Sequence, residues 1–269
     1  ARSSRLTPRF YTPGRFEFET PLPSPWSCNN RVPGRLHTAR PDWQQQPAVI
    51  LIHGWNGEYQ YCLQFPWLAG KLAHAGFTVI RFLLPYHGSR KPRGPGAVRN
   101  FISADPLRTV EAVQQALVEI SALAAWLQAQ GAPRVGLWGI SLGAWLAAMT
   151  LTHDDQIDFG VVMTPVADMA RALAELPFCA PARRTWGGGV PNLEKLDPAL
   201  RQPRCDRHRV LIVKSEYDLF APGETVERLW KAWHQPDIWR VPHGHISVLF
   251  SLRVTGRVVE WLAEHGSRP

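Results

Sequence analysis

The sequence predicts an α/β fold, a mostly parallel sheet with helices on both faces, and three observations carry that expectation. Short runs rich in Val, Ile, Leu and Phe recur at 48–53, 77–84, 134–139, 159–164 and 209–214, with a weaker one at 237–242. All but the last read as strands buried on both faces, as parallel strands are. Helical stretches separate them, and strict strand–helix alternation builds a parallel sheet. The chain has 269 residues, 45% hydrophobic and 19% charged, enough for one substantial core and far from the balance of a disordered protein.

The elements follow in order. Residues 1–47 hold eight of the 24 prolines and little helical periodicity. Within them Arg15-Phe16-Glu17-Phe18-Glu19 alternates apolar and polar, as a half-exposed strand does. Residues 60–75 read as a helix, with Cys62 a small core residue in it. The next helix is sharply delimited: Asp105 as N-cap, Pro106 at the first position and Gly131 as the C-terminal glycine. Between them Val110, Val113, Leu117, Ile120, Leu123 and Leu127 repeat at three- and four-residue spacing. Further helices are expected at about 142–152, 222–234 and 247–264. The long proline-bearing stretch at 165–208, with Gly187-Gly188-Gly189, reads as a small cap over the sheet. One catalytic domain over 1–269 with this insertion is the expected organisation.

Composition narrows the function classes. Net charge is +8, carried by 25 Arg and 5 Lys against 22 acidic residues, with clusters at Arg2/Arg5/Arg9, Arg90–Arg99 and Arg201/Arg204/Arg207/Arg209. No helix-turn-helix, zinc-finger or RNA-binding signature accompanies them, so a solvated basic surface is expected and nucleic acid is not. Four widely spaced cysteines exclude a disulfide-dense scaffold and leave a Cys179–Cys205 bridge open. No metal-ligand spacing is present, so no metal is expected. No apolar run approaches the ~18–20 residues of a membrane span, and Ala1–Leu6 lacks an apolar h-region. The compartment stays open, with the cytoplasm slightly favoured.

Ligands of an open parallel sheet bind beyond the carboxyl ends of its strands, so the residues after each strand matter most. Gly139-Ile140-Ser141-Leu142-Gly143 matches Gly-x-Ser-x-Gly, a strained strand-to-helix turn that exposes a nucleophilic serine. His53-Gly54-Trp55-Asn56-Gly57 follows the 48–53 strand. The amides of Trp55 and Leu142 are the expected oxyanion hole, with His53 a packed loop residue. Asp218 is the expected triad carboxylate, with Glu216 and Asp168 as competitors. In Val241-Pro242-His243-Gly244-His245, His245 is the expected general base and His243 a packing or pocket residue.

The order Ser141…Asp218…His245, with His53-Gly54 upstream, resembles the α/β-hydrolase superfamily from about residue 48 onward. The resemblance implies an eight-stranded, mostly parallel sheet with two strands in 10–40, a cap at 165–208 and no cofactor. Leu84-Pro85-Tyr86-His87-Gly88 is similar to a Pro-x-His-Gly loop of poorly characterised members. His-Gly-Trp in place of the His-Gly-Gly-Gly of many lipases and esterases argues against bulky tertiary-alcohol esters. A serine at the elbow argues against the family's dehalogenases and epoxide hydrolases, which use aspartate there.

The expected activity is that of a serine carboxylesterase on short- to medium-chain esters through an acyl-enzyme. An amidase, peptidase or acyltransferase with the same triad is the alternative, and a low-turnover ligand receptor a further one. The expected partner is a small-molecule ester. Trp55, Tyr86, His87 and Trp186 are the expected substrate contacts and Trp138 and Trp145 core residues, while the Arg90–Arg99 loop that follows Tyr86 and His87 allows a carboxylate- or sugar-bearing ester as the alternative to a solvated surface.

Overall fold

The computed structural model describes residues 6–94, 100–186 and 193–266. Gly187-Gly188-Gly189, Arg2, Arg5 and Arg99 lie outside the described residues. Among the described residues nine strands form one sheet: β1 (Arg9–Thr12), β2 (Arg15–Glu19), β3 (Arg31–His37), β4 (Ala48–Ile52), β5 (Thr78–Phe82), β6 (Val135–Ile140), β7 (Phe159–Met163), β8 (Val210–Ser215) and β9 (Asp237–Val241). Their order is β1-β2-β3-β5-β4-β6-β7-β8-β9. From β5 to β9 every pairing is parallel, while β1, β2 and β3 add on antiparallel.

The sheet thus has one strand more than the expected eight, because 9–37 holds three strands instead of two. The added one, β1, is a four-residue edge strand exposed at every position, so it leaves no buried apolar run for a sequence reading to find. Short edge strands of this kind limit edge-to-edge pairing.

Among the described residues eight α-helices accompany the sheet: α1 (Ser27–Asn30), α2 (Phe65–His74), α3 (Pro106–Gln130), α4 (Leu142–His153), α5 (Met169–Glu175), α6 (Ala180–Thr185), α7 (Gly223–Ala232) and α8 (Leu252–His265). The alternation of β4 shows how the layers are filled. Ala48, Ile50 and Ile52 face the core shared with α3, α4 and α7. Val49 and Leu51 face the core shared with α2 and α8. Every residue of α4 from Leu142 to Thr152 is buried, Trp145 among them, and Trp138 is buried in β6. Helix α3 starts and stops where its caps dictate: Asp105 accepts from the Leu107 and Arg108 amides, and Gly131 closes the helix at φ 113°.

One further expectation changes, and one open question is answered. Cys62 is exposed, because residues 60–64 form a π-helical turn that precedes α2 and rotates it outward. Cys179 and Cys205 are both free thiols and do not pair. Among the described residues α3 is the one helix long and apolar enough to cross a membrane. Its apolar positions form a stripe instead of a continuous run, and it packs within this core carrying a buried Glu119.

Candidate active site

Ser141 sits at the turn between β6 and α4 with φ 56° and ψ −116°, a conformation that costs on the order of 1–3 kcal/mol for a residue with a Cβ. The flanking glycines permit it. A Cβ on Gly139 would lie 2.1 Å from the Gly143 carbonyl oxygen, and one on Gly143 would lie 2.2 Å from that of Ile52. The Ser141 amide donates to the Met163 carbonyl at 3.0 Å, which ties the strained residue to β7.

From this turn a continuous hydrogen-bonded chain runs inward. Ser141 Oγ donates to His245 Nε2 at 2.8 Å, and His245 Nδ1 donates to Asp218 Oδ2 at 2.7 Å. Asp218 lies in the loop after β8, where its Oδ1 accepts from the Phe220 and Ala221 amides, both at 2.8 Å. Those bonds fix the carboxylate plane before it meets the imidazole. The Phe220 ring packs on His245 with centroids 5.0 Å apart. Such a relay can take a proton from a nucleophilic hydroxyl and return it to a leaving group.

The competitors are engaged elsewhere. Glu216 pairs with Lys214 at 3.2 Å, and Asp168 caps α5 through the Arg171 amide. The His243 carbonyl accepts from the Tyr217 amide. His53 is fully buried: Nδ1 donates to the Gly54 carbonyl at 2.7 Å and Nε2 accepts from the Leu84 amide at 3.1 Å. Burial pushes its pKa down to about 3, so it stays neutral and holds the loop.

The segment Gly54-Trp55-Asn56 is clamped on both sides of Trp55. Gly54 N–H donates to Gln60 Oε1 at 2.6 Å, and Asn56 N–H donates to His87 Nε2 at 3.2 Å. His87 is itself buried, with its pKa lowered to about 4 by desolvation, so Nε2 is available as an acceptor at neutral pH. Leu142 opens α4, where the first amides have no acceptor in the preceding turn and the helix dipole favours negative charge. Gly54 lies close enough to Ser141 that a Cβ on it would be 3.2 Å from the serine Cβ.

Ser141 and His245 open on a pocket of about 430 Å³, within the size range of small-molecule sites. One wall comes from the expected cap: Val166, Met169, Leu173, Leu176 and Cys179. The facing wall comes from Gln60, Gln64, Leu249 and Phe250, and Trp55 lines the pocket as expected.

The other expected substrate contacts lie behind the wall. Tyr86 is fully buried under the Arg108 guanidinium, 4.5 Å from its ring. His87 clamps Asn56, and Trp186 is buried with Nε1 donating to the Ser103 carbonyl. The described residues of the basic loop do not line the pocket either. Arg90 is fully buried on Glu119, Lys91 pairs with Glu58 at 2.6 Å, and no Lys or Arg stands among the described pocket residues. Sequence reasoning missed Gln60, Gln64 and the apolar residues of α5. Gln60 and Gln64 share an apolar helical stretch in which nothing local marks them as facing a site.

Comparison with known proteins agrees with this fold. Residues 49–263 match the model of the Alpha/beta hydrolase family. Two uncharacterised Mycobacterium tuberculosis proteins, from strains CDC 1551 and H37Rv, are each 30% identical over 192 residues. That match covers 69% of this chain but 46% of theirs, so the chain spans about half the length of these curated relatives. Among solved structures, an esterase of Pyrococcus furiosus superposes with TM-score 0.64 at 16% identity, covering 97% of this chain and 92% of that one. Est1E of Butyrivibrio proteoclasticus, solved with ferulic acid bound, gives 0.62 at 16% identity over 89% and 97%. An acylaminoacyl peptidase of Pyrococcus horikoshii gives 0.65 at 14% identity over 99% of this chain and 43% of its own. At these identities the likeness is one of fold. The chain belongs to the alpha/beta hydrolase family.

Proposed function

We propose that this alpha/beta hydrolase is a serine carboxylesterase for short- to medium-chain esters. The observation that carries the reading is the Ser141–His245–Asp218 chain opening on an apolar pocket. Ser141 Oγ attacks the ester carbonyl carbon as its proton passes to His245 Nε2, and the carbonyl oxygen becomes an oxyanion held by the amides of Trp55 and Leu142. Collapse expels the alcohol, which takes the proton from His245 and leaves an acyl-serine. Water then repeats the sequence, releasing the acid and restoring Ser141. Asp218 holds the imidazole tautomer and stabilises the imidazolium without taking its proton. The apolar walls, with no Lys or Arg among the described residues, favour a neutral acyl group over an anionic one.

Labelling with a fluorophosphonate followed by peptide mapping tests the nucleophile: modification is expected at Ser141, and an unlabelled Ser141 removes the mechanism. Matched p-nitrophenyl esters and anilides, from acetyl to palmitoyl, then test the bond type. Faster anilide cleavage would replace the esterase by an amidase or peptidase on the same triad. Transfer to an added alcohol in place of hydrolysis would make it an acyltransferase. One slow burst of product and no turnover would make it a receptor.

A further inference from the structure

The π-helical segment Gln60–Gln64 brings two glutamines to the pocket wall about one turn apart. Each carboxamide is tied to the backbone by one end. Gln60 Oε1 accepts from the Gly54 amide at 2.6 Å, and Gln64 Nε2 donates to the Leu249 carbonyl at 2.6 Å. These bonds decide which way each amide is turned, because an oxygen must face the donor and a nitrogen the acceptor.

What each amide leaves over is complementary. Gln60 is 8% exposed, and among the described residues no protein group accepts from its Nε2. Gln64 Oε1 is buried with no donor. The surroundings are apolar, with Ile102, Val166, Leu173, Phe220 and Phe250 on the same pocket. The position is also close to the nucleophile: a Cβ on Gly54 would lie 3.2 Å from Ser141 Cβ and 3.3 Å from Gln60 Oε1.

A spare donor and a spare acceptor on two residues that line one apolar pocket match a hydroxyl, which accepts and donates through a single atom. An ether or ketone oxygen satisfies Gln60 alone, and a methyl group satisfies neither. We propose that Gln60 and Gln64 form a hydroxyl-reading subsite, so that the preferred substrate is an ester bearing a hydroxyl group near the scissile carbonyl. The hydroxyl accepts from Gln60 Nε2 and donates to Gln64 Oε1. This deepens the esterase reading and rests on it for the word substrate.

The test measures binding, without turnover, on Ser141→Ala protein by titration calorimetry. Two pairs differ only by hydroxyl against methyl: ethyl 3-hydroxybutanoate against ethyl 3-methylbutanoate, and 2-hydroxypropyl butanoate against 2-methylpropyl butanoate. An apolar pocket without a polar reader binds the methyl member more tightly. The subsite instead gives the hydroxyl member a Kd lower by about tenfold in at least one pair, the effect of one net buried hydrogen bond or slightly more.

Gln64→Leu removes the acceptor. Gln60→Glu keeps an acceptor for the Gly54 amide and removes only the donor, so it separates reading from loop anchoring. Both are expected to abolish the preference while circular dichroism remains that of the folded protein. Tighter or equal binding of the methyl member in both pairs overturns the subsite, and so does a preference that survives both substitutions. Fluorophosphonate labelling of the wild-type protein reports separately on the esterase reading, so the two can fail independently.

Discussion

Two buried polar clusters lie beyond the carboxyl edge of the sheet, one after β5 and one joining the ends of β6, β8 and β9. The first is built on Arg90, whose five N–H donors are all taken: Nε and Nη2 on the Asn29 carbonyl, Nη1 on the Leu83 carbonyl, and Nη1 and Nη2 on the two oxygens of Glu119. Asn29 continues it, donating to Gln115 and accepting from the Tyr86 amide. Every valence is closed, and the cluster binds α1, α3 and the loop after β5 together. The second cluster, Asp218–His245–Ser141, is equally ordered at its inner end and ends on a hydroxyl at the wall of a pocket. Both contain charge, and only the second ends on a hydroxyl that lines a pocket. Saturation marks a structural cluster; an open end marks chemistry.

Substitutions test that contrast, beginning with the largest effect. Ser141→Ala is expected to lower kcat for p-nitrophenyl butanoate by about 10⁶, as in comparable triads, with the melting temperature little changed. More than a few per cent residual activity would contradict the open-end reading. Asp218→Asn leaves the shape intact but presents the wrong partner to His245 Nδ1, and a loss of about 10⁴ in kcat is expected. Glu119→Ala works the other way. It strands a fully buried guanidinium and should cost about 3–5 kcal/mol of unfolding free energy in urea, while the remaining folded fraction keeps its kcat. A melting temperature within 1 °C of wild type would place Arg90 outside the structural class.

The histidine clamps sharpen the comparison through pH. His53 and His87 have folded pKa values lowered by burial to about 3 and about 4, from 6.5. The unfolded chain therefore binds more protons below pH 6.5. Stability is complete above that value and falls as pH drops through 6.5 toward 4. Urea midpoints measured across this window should decline, and His87→Asn should flatten the slope. Unchanged midpoints would mean that neither imidazole is desolvated. The smallest effect is expected at the basic loop. Because the described pocket residues include no Lys or Arg, raising salt should change KM for anionic and neutral esters alike, and Arg93→Ala should shift stability by no more than about 0.5 kcal/mol.

Much of this was legible in the sequence, for identifiable reasons. Five of the six parallel strands, β4 to β8, appear as apolar runs because burial on both faces leaves no polar alternation to confuse, while the half-exposed β9 gives the weaker run. Helix α3 was readable at both ends because Asp105, Pro106 and Gly131 are each demanded by backbone geometry. Gly139, Ser141 and Gly143 are legible for the same reason, since strain and close approach tolerate few other residues. Strand β1 was not legible, because an exposed four-residue edge carries no hydrophobic signal. Tyr86, His87 and Trp186 were expected at the pocket because they follow strand ends or lie in the cap. Position along the chain does not say which side of a loop a side chain takes.

What the sequence determined by itself was local: strand and helix identity, the caps, the elbow, and the order in which serine, carboxylate and histidine arrive. These follow from backbone sterics and hydrophobic period, which act over a few residues. Tertiary structure alone decided that Asp218, 77 positions from Ser141, meets it through His245. It also decided that Arg90 closes on Glu119 instead of facing solvent, and that Gln60 and Gln64 each spend one end of an amide on the backbone. Hydrogen-bond saturation depends on partners brought from distant parts of the chain, and no local pattern encodes it.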